Sequence, residues 1–351
     1  MEGDVTLVTG GAGFVGSNLV RSLLERDPIA RVLVLDRAVD ALAEAFFAPF
    51  TSRIRLHRGD ITDPDALDGA PWLGEVTQLV HGAMVAHVPS WELAEPARFV
   101  HVNIGGTATV LDWARDLPAL RRFLYIGSGG VYGEPTELSP DDPQPETGPF
   151  NPAELYGISK YSSELICARY ADLFDLDLTI VRLSWVFGRM ERVTSGRALM
   201  SPPYAIARSF LEDRPVKVTR RALGAVGDFL SSEEIAGAIA TVLEGAKPGS
   251  PTYNIAAGEL TSFEELLDAA TRAHPAVRYT VVADDDRDAD LDHDPSLRRA
   301  RWNAYDISRI RDEFGWEPRP LVEQLATYFA WVAEDPATRC PAVSAIAARS
   351  A

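Results

Sequence analysis

Only two cysteines, Cys167 and Cys340, occur in the 351 residues. Two unpatterned thiols make neither a disulfide framework nor a cysteine-based zinc site, and both are read as structural. Histidine is scarce as well: there are six, with His81 and His87 six apart and none at a ligand-like spacing from cysteine or carboxylate. A resident metal is therefore not expected. No apolar run approaches about 18 residues, which excludes a membrane-spanning helix. Positive charge is in deficit, with 34 Lys and Arg against 51 Asp and Glu and a net charge of −17. Such a surface repels nucleic-acid backbones and anionic membranes, so neither is expected as a partner, although a local arginine cluster can still hold a small anion. The first strand begins at about residue 4, leaving no space for a signal peptide, and a cytoplasmic protein is expected.

What is present begins at the N-terminus. Val5-Thr6-Leu7-Val8-Thr9 reads as a buried strand, Gly10-Gly11-Ala12-Gly13-Phe14-Val15-Gly16 follows at once, and Leu19, Val20, Leu23 and Leu24 mark a helix. Strand, glycine loop and helix together form a dinucleotide cradle, in which the backbone approaches a pyrophosphate and the helix N-terminus meets its charge. The next strand, Arg31 to Leu35, ends at Asp36, 20 residues beyond Gly16. A carboxylate there accepts from a ribose diol and repels a 2′-phosphate, which favours NAD over NADP; Arg37 beside it has the opposite tendency.

The alternation continues through a strand at Ile54–His57, a turn at Gly59-Asp60, a helix start near Asp63-Pro64 and a strand at Gln78–His81. A helix from about Ala94 to Arg115 and a strand from Arg122 to Ile126, leading to Ser128, follow. This order predicts an α/β, Rossmann-like doubly wound parallel sheet with ligands at the carboxyl ends of its strands. Asp60, Ala83 and Ser128 fall at or just after such ends. Tyr156 and Lys160 then stand four apart on a helix, hence on one face. An unperturbed phenol ionises at about pH 10; a neighbouring ammonium favours the phenolate, making Tyr156 a base while the Ser128 hydroxyl holds the substrate oxygen.

With these residues in order, the chain resembles the extended short-chain dehydrogenase/reductase family, in its NAD-dependent epimerase/dehydratase branch. The matching stretches are Thr9 to Gly16, Gly59-Asp60-Ile61, His81-Gly82-Ala83, Val102 to Thr107, Ser128 to Gly133 and Tyr156-Gly157-Ile158-Ser159-Lys160, with weaker matches at Val181-Arg182-Leu183, Asp228-Phe229-Leu230 and Tyr253-Asn254-Ile255. The resemblance implies NAD as cofactor and Ser128, Tyr156 and Lys160 as the catalytic set. It also implies cofactor contacts at Gly10, Gly13, Phe14, Val15, Gly16, Asp36, Arg37, Asp60, Ile61, Ala83, Asn103, Tyr156 and Lys160, with Asp60 and Ile61 by the adenine, and a homodimer formed through a four-helix bundle.

Two departures from the family pattern stand out. Gly129-Gly130 replace the Asp-Glu pair that 4,6-dehydratases carry before Val-Tyr-Gly, which removes the acid and base for eliminating water and leaves space above the nicotinamide. Trp185 and Gly227 replace the asparagine and arginine that usually hold a sugar diphosphate. Arg189, Arg192, Arg197, Arg220 and Arg221 lie in the variable segment and could bind an anion another way. Gly129, Gly130, Trp185, Arg192 and Arg197 are accordingly the candidate substrate residues.

The expected division is a dinucleotide-binding domain over 1–183, a mainly substrate-binding lobe over 184–335 with segments returning to the first domain, and a fraying tail over 336–351. Residues 284–301, acidic and then basic through Arg298, Arg299 and Arg301, read as a mobile loop. The expected function is NAD-dependent hydride transfer at a secondary hydroxyl of a sugar or sugar-like molecule, as an epimerase or a dehydrogenase. The alternatives are a ketoreductase or dehydrogenase of a non-nucleotide small molecule and a non-catalytic dinucleotide sensor.

Overall fold

The computed structural model describes residues 3–134, 138–139, 141–293 and 303–342. Six strands in chain order, β1 (Val5–Thr9), β2 (Arg31–Asp36), β3 (Ile54–Arg58), β4 (Val76–His81), β5 (Arg122–Ser128) and β6 (Leu178–Leu183), build the central sheet with a seventh, Thr252–Ile255. The order is Thr252–Ile255, β6, β5, β4, β1, β2, β3, and every pairing is parallel. A parallel sheet must be covered on both faces. Val8, Val32 and Val34 meet Leu19, Val20 and Leu23 of the helix Phe14–Arg26, with Ile235, Ile239 and Val242 of the helix Ser232–Glu244 in the same core. Val5, Leu7, Leu33 and Leu79 face the other way, toward Val110, Leu111 and Ala114. The chain reverses its direction of winding where β1 lies between β2 and β4, and a crevice opens there at the carboxyl ends of the strands.

The segments after β6 divide between this sheet and a smaller lobe. Thr252–Ile255 extends the main sheet beside β6. Three two-stranded pairs build the lobe: Trp185–Phe187 with Phe229–Ser231, Val216–Thr219 with Tyr279–Val282, and Val226–Gly227 with Thr261–Ser262. The helix Pro202–Leu211 starts at an N-cap, Ser201, whose hydroxyl accepts from the Tyr204 N–H, with both prolines in its first turn where no N–H is needed.

Four expectations are corrected. Residues 61–69 turn repeatedly instead of starting a helix near Asp63-Pro64, because the Asp60 and Asp63 carboxylates accept from the backbone two residues on and Gly69 takes a φ of +72°. The helix expected from Ala94 to Arg115 is broken at Glu95 (φ −138°, ψ 55°), since Pro96 excludes a helical residue before it. It resumes through a wide π segment, Phe99–Gly105, before Gly106–Asp116. The acidic half of the charged loop is pinned by ion pairs, Asp290 to Arg214 (2.7 Å) and Asp292 to Arg221 (2.6 Å); Arg298, Arg299 and Arg301 lie outside the described residues. The start of the tail packs rather than frays: Pro336–Arg339 is helical, Cys340 is buried, and the Pro341 carbonyl accepts from the Tyr204 hydroxyl at 2.6 Å. Among the described residues no helix is long and apolar enough to cross a membrane.

Candidate active site

The crevice is a cavity of about 680 Å³ that runs from the glycine loop to Tyr305 and takes in both lobes. At one end the loop leaves no space for side chains. Gly10 has a φ of +70°, and a Cβ there would stand 2.8 Å from the Ala83 backbone; a Cβ on Gly16 would stand 2.2 Å from the Gly10 carbonyl oxygen. Gly10, Gly13, Phe14, Val15 and Gly16 all line the cavity. Asp36, at the end of β2, accepts from the Ala12 N–H at 3.1 Å, and burial raises its pKa against the pull of three backbone N–H groups and Arg192. Arg37 reaches Asp60 (3.4 Å) and the Ser195 hydroxyl (2.7 Å). For Asp60 the upward push of burial is outweighed by hydrogen bonds from Thr62 and by the Arg37 charge, so its pKa falls. Ile61 and Ala83 complete this wall.

At the other end, Ser128 closes β5 and Tyr156 lies in the first turn of the helix Leu155–Phe174. Both line the cavity; the Ser128 hydroxyl accepts from the Gly130 N–H at 3.1 Å, and the Tyr156 hydroxyl donates to the Met84 sulfur at 3.6 Å. Burial raises the pKa of the phenol, while Ser128 and the charge of Arg197 pull it down. That departs from the expectation for Lys160. Its ammonium does not line the cavity; it donates to the Ile126 carbonyl at 2.6 Å, 4.3 Å from the centre of the Tyr125 ring. Burial lowers its pKa to about 8 despite the charge of Glu164. Asn103 also stands behind the wall rather than in it. Its amide exchanges two hydrogen bonds with the Val85 backbone (2.8 and 3.1 Å) and donates to Ser159 (3.0 Å), so it fixes the cavity lining from outside.

A buried chain of polar groups supports the same wall. The Thr107 hydroxyl donates to the Asn103 carbonyl at 2.5 Å, so it must accept from His81 Nε2–H at 3.0 Å, leaving His81 Nδ1 to accept from Thr9 at 2.7 Å. Burial, aided by the Lys160 charge, lowers the pKa of His81 to about 3 and keeps the imidazole neutral.

The space expected above Gly129 is filled. A Cβ there would lie 1.9 Å from the hydroxyl oxygen of Tyr305, whereas one on Gly130 would meet nothing closer than Ser128 Oγ at 3.4 Å. Tyr305 is buried, its ring centre is 5.8 Å from that of Tyr132, and burial beside Asp228 keeps its phenol neutral. Asp228 accepts from the Ala257 and Gly258 N–H groups (2.7 and 3.0 Å), and burial pushes its pKa up to about 6. Trp185, Phe229 and Gly227 form a single arrangement, because a Cβ on Gly227 would lie 2.8 Å from both the indole and the Phe229 ring. Of the five variable-segment arginines, Arg192 and Arg197 line the cavity, and both sit toward the glycine loop rather than the substrate lobe. Arg192 Nη2 donates to the Ala12 carbonyl (2.9 Å) and its Nε pairs with Asp40 (2.6 Å), while Arg197 lies over the Phe14 ring. Arg189 pairs with Glu233.

Sequence reasoning missed Tyr305, Met84 and the site position of Asp228. Tyr305 arrives from beyond the charged loop, and nothing in its local pattern points to Gly129.

The family model described as the NAD dependent epimerase/dehydratase family matches residues 6–256. The dTDP-glucose 4,6-dehydratase of Mycolicibacterium smegmatis is 31% identical over 321 residues, covering 89% of this chain and 88% of that protein. The UDP-glucose 4-epimerase of the same organism is 29% identical, covering 92% and 96%. Among solved structures, the Thermotoga maritima UDP-glucose 4-epimerase with UDP-glucose superposes with a TM-score of 0.75 at 22% identity, covering 94% of this chain and 99% of that one. The Thermus thermophilus UDP-glucose 4-epimerase complex with NAD gives 0.75 at 23% identity, with the same coverage. At such identity the two structures speak for the fold.

Proposed function

This chain belongs to the NAD-dependent epimerase/dehydratase family, enzymes of the extended short-chain dehydrogenase/reductase type with NAD as cofactor, and from that premise we propose that it oxidises a secondary hydroxyl of a sugar or sugar-like substrate. The observation that carries this reading is that Ser128 and Tyr156 line one end of a cavity whose other end is the glycine cradle. The cradle suits a dinucleotide: its glycines present bare backbone to the cavity, packed so tightly that a Cβ on Gly10 or Gly16 would strike neighbouring backbone, and Asp36 lines the cavity at the end of β2, where a ribose diol would be met. When bound, NAD supplies the hydride acceptor and a positive ring that favours the Tyr156 phenolate.

Tyr156 removes the hydroxyl proton, and Ser128 donates to the oxygen as its charge develops. Lys160, held on the Ile126 carbonyl, places its ammonium behind this end of the site. Water elimination is not part of the proposal. Gly129 and Gly130 offer no carboxyl group, and Asp228, at the same end of the cavity, has both oxygens committed to backbone N–H groups. The segment 191–197 roofs the cofactor end through the Arg192 bond to Ala12 and an Ala86 N–H to Gly196 carbonyl bond of 2.8 Å. This roof supports retention of the cofactor, with hydride returning to the substrate's opposite face.

The test is anaerobic incubation of the protein with NAD and a panel of free sugars, sugar acids and UDP-, GDP- and dTDP-sugars, following the NADH band and product NMR. Inverted stereochemistry without net NADH is the expected result. Stoichiometric NADH with a ketone or lactone would mean a cofactor-releasing dehydrogenase, and a 4-keto-6-deoxy product would overturn the exclusion of dehydration.

A further inference from the structure

We propose that Arg197, supplied by the smaller lobe, binds the pyrophosphate of the dinucleotide, so that the cofactor is clasped by a cation from the side opposite the glycine loop. The proposal rests on the NAD-binding reading above. Arg197 stands in the roof segment, whose Ser195 also accepts from Arg37 and Arg98. Its guanidinium lies 5.0 Å from the centre of the Phe14 ring, and Phe14 is the first residue of the helix that follows the glycine loop. The charge of Arg197 is also felt by the Tyr156 phenol. It therefore sits between the phosphate loop and the catalytic end, along the path a dinucleotide takes from Asp36 to Tyr156.

The hydrogen bonding of this side chain is incomplete. Nη2 pairs at 2.7 Å with Glu191, a fully buried carboxylate whose other oxygen accepts from the Ser201 hydroxyl at 2.6 Å. Nε is buried and meets no acceptor. A buried N–H without an acceptor is costly, and a guanidinium N–H is satisfied best by an anionic oxygen. The other two arginines lining the cavity also face carboxylates, Arg37 at Asp60 and Arg192 at Asp40, but neither leaves a buried N–H without an acceptor. Arg197 has spare capacity at a point where the helix N-terminus also attracts negative charge. A phosphate oxygen on the cavity side of the guanidinium would be held by both charges.

Calorimetric titration of wild type, Arg197→Met and Arg197→Lys with NAD and with ADP-ribose tests this. Methionine keeps an unbranched stem over Phe14 without the charge, and lysine keeps the charge without the fork. The expected result is an Arg197→Met Kd about tenfold to a hundredfold higher for both ligands, with Arg197→Lys between it and wild type. UDP, titrated into the NAD-loaded proteins, distinguishes the other source of a diphosphate: weakened UDP binding with unchanged NAD binding would overturn the assignment in favour of the substrate. A fall in Tm with unchanged Kd for NAD in both variants would reduce Arg197 to a structural partner of Glu191 and also overturn it. Failure of wild type to bind NAD would instead defeat the cofactor reading on which the proposal stands.

Discussion

His81 makes the protein acid-sensitive in a way that can be calculated. The imidazole ends β4 almost fully buried, between Thr9 and Thr107, and its pKa is lowered from 6.5 to about 3. Between those values the unfolded chain binds a proton that the native protein does not, so stability rises with pH across the window. The contribution is present in full above 6.5 and is lost progressively as the pH falls toward 3. From pH 7 to pH 5 the linkage amounts to about 2 kcal/mol, taking about 1.4 kcal/mol per pH unit once the unfolded histidine is mostly protonated. Urea unfolding of wild type and His81→Gln at both pH values isolates it. Wild type should lose about 2 kcal/mol more than the variant over that interval. Asp228, whose raised pKa gives the opposite pH dependence, is present in both proteins and cancels. Equal losses would refute the reasoning, since they would mean that native His81 accepts a proton as readily as the unfolded chain.

Tyr156→Phe should lower turnover by about 10²–10⁴-fold while leaving the Kd for NAD within a few-fold of wild type, checked by steady-state kinetics and titration. Gly129→Ala drives a methyl group into the Tyr305 hydroxyl and should cost about 1–3 kcal/mol together with activity. Gly130→Ala, with its nearest neighbour at 3.4 Å, should leave the Tm unchanged. Glu164→Gln leaves the buried Arg182 guanidinium without the carboxylate it now holds at 2.7 Å and should destabilise by about 3–5 kcal/mol in urea titrations.

The parallel sheet was legible because most of its strands carry a short apolar run followed by a glycine or polar turn, and the glycine loop because it stands directly between a strand and a helix. The placement of Ser128 and Tyr156 at one end of the cavity follows from that order. Lys160 was harder to place: helical spacing predicts which face a side chain leaves from, but a long flexible stem then goes to the best acceptor, here the Ile126 carbonyl. Arg192 and Arg197 lie in the variable segment, where local sequence does not show that the chain folds back over the glycine loop through contacts between residues far apart in sequence. Tyr305 had no local signal at all. Its role is defined by a side chain absent from Gly129, and only the tertiary fold brings the two together.

The contact between Trp185 and Gly227 limits the order in which this site can change. A side chain gained at position 227 meets the indole and the Phe229 ring, each at 2.8 Å, so both rings have to give way first, and the reverse order passes through a strained protein. The three positions therefore behave as one heritable unit. A mutational route to a long polar residue at 227 begins with substitutions at 185 and 229 that by themselves open a hole, against Phe263, in the wall of the cavity.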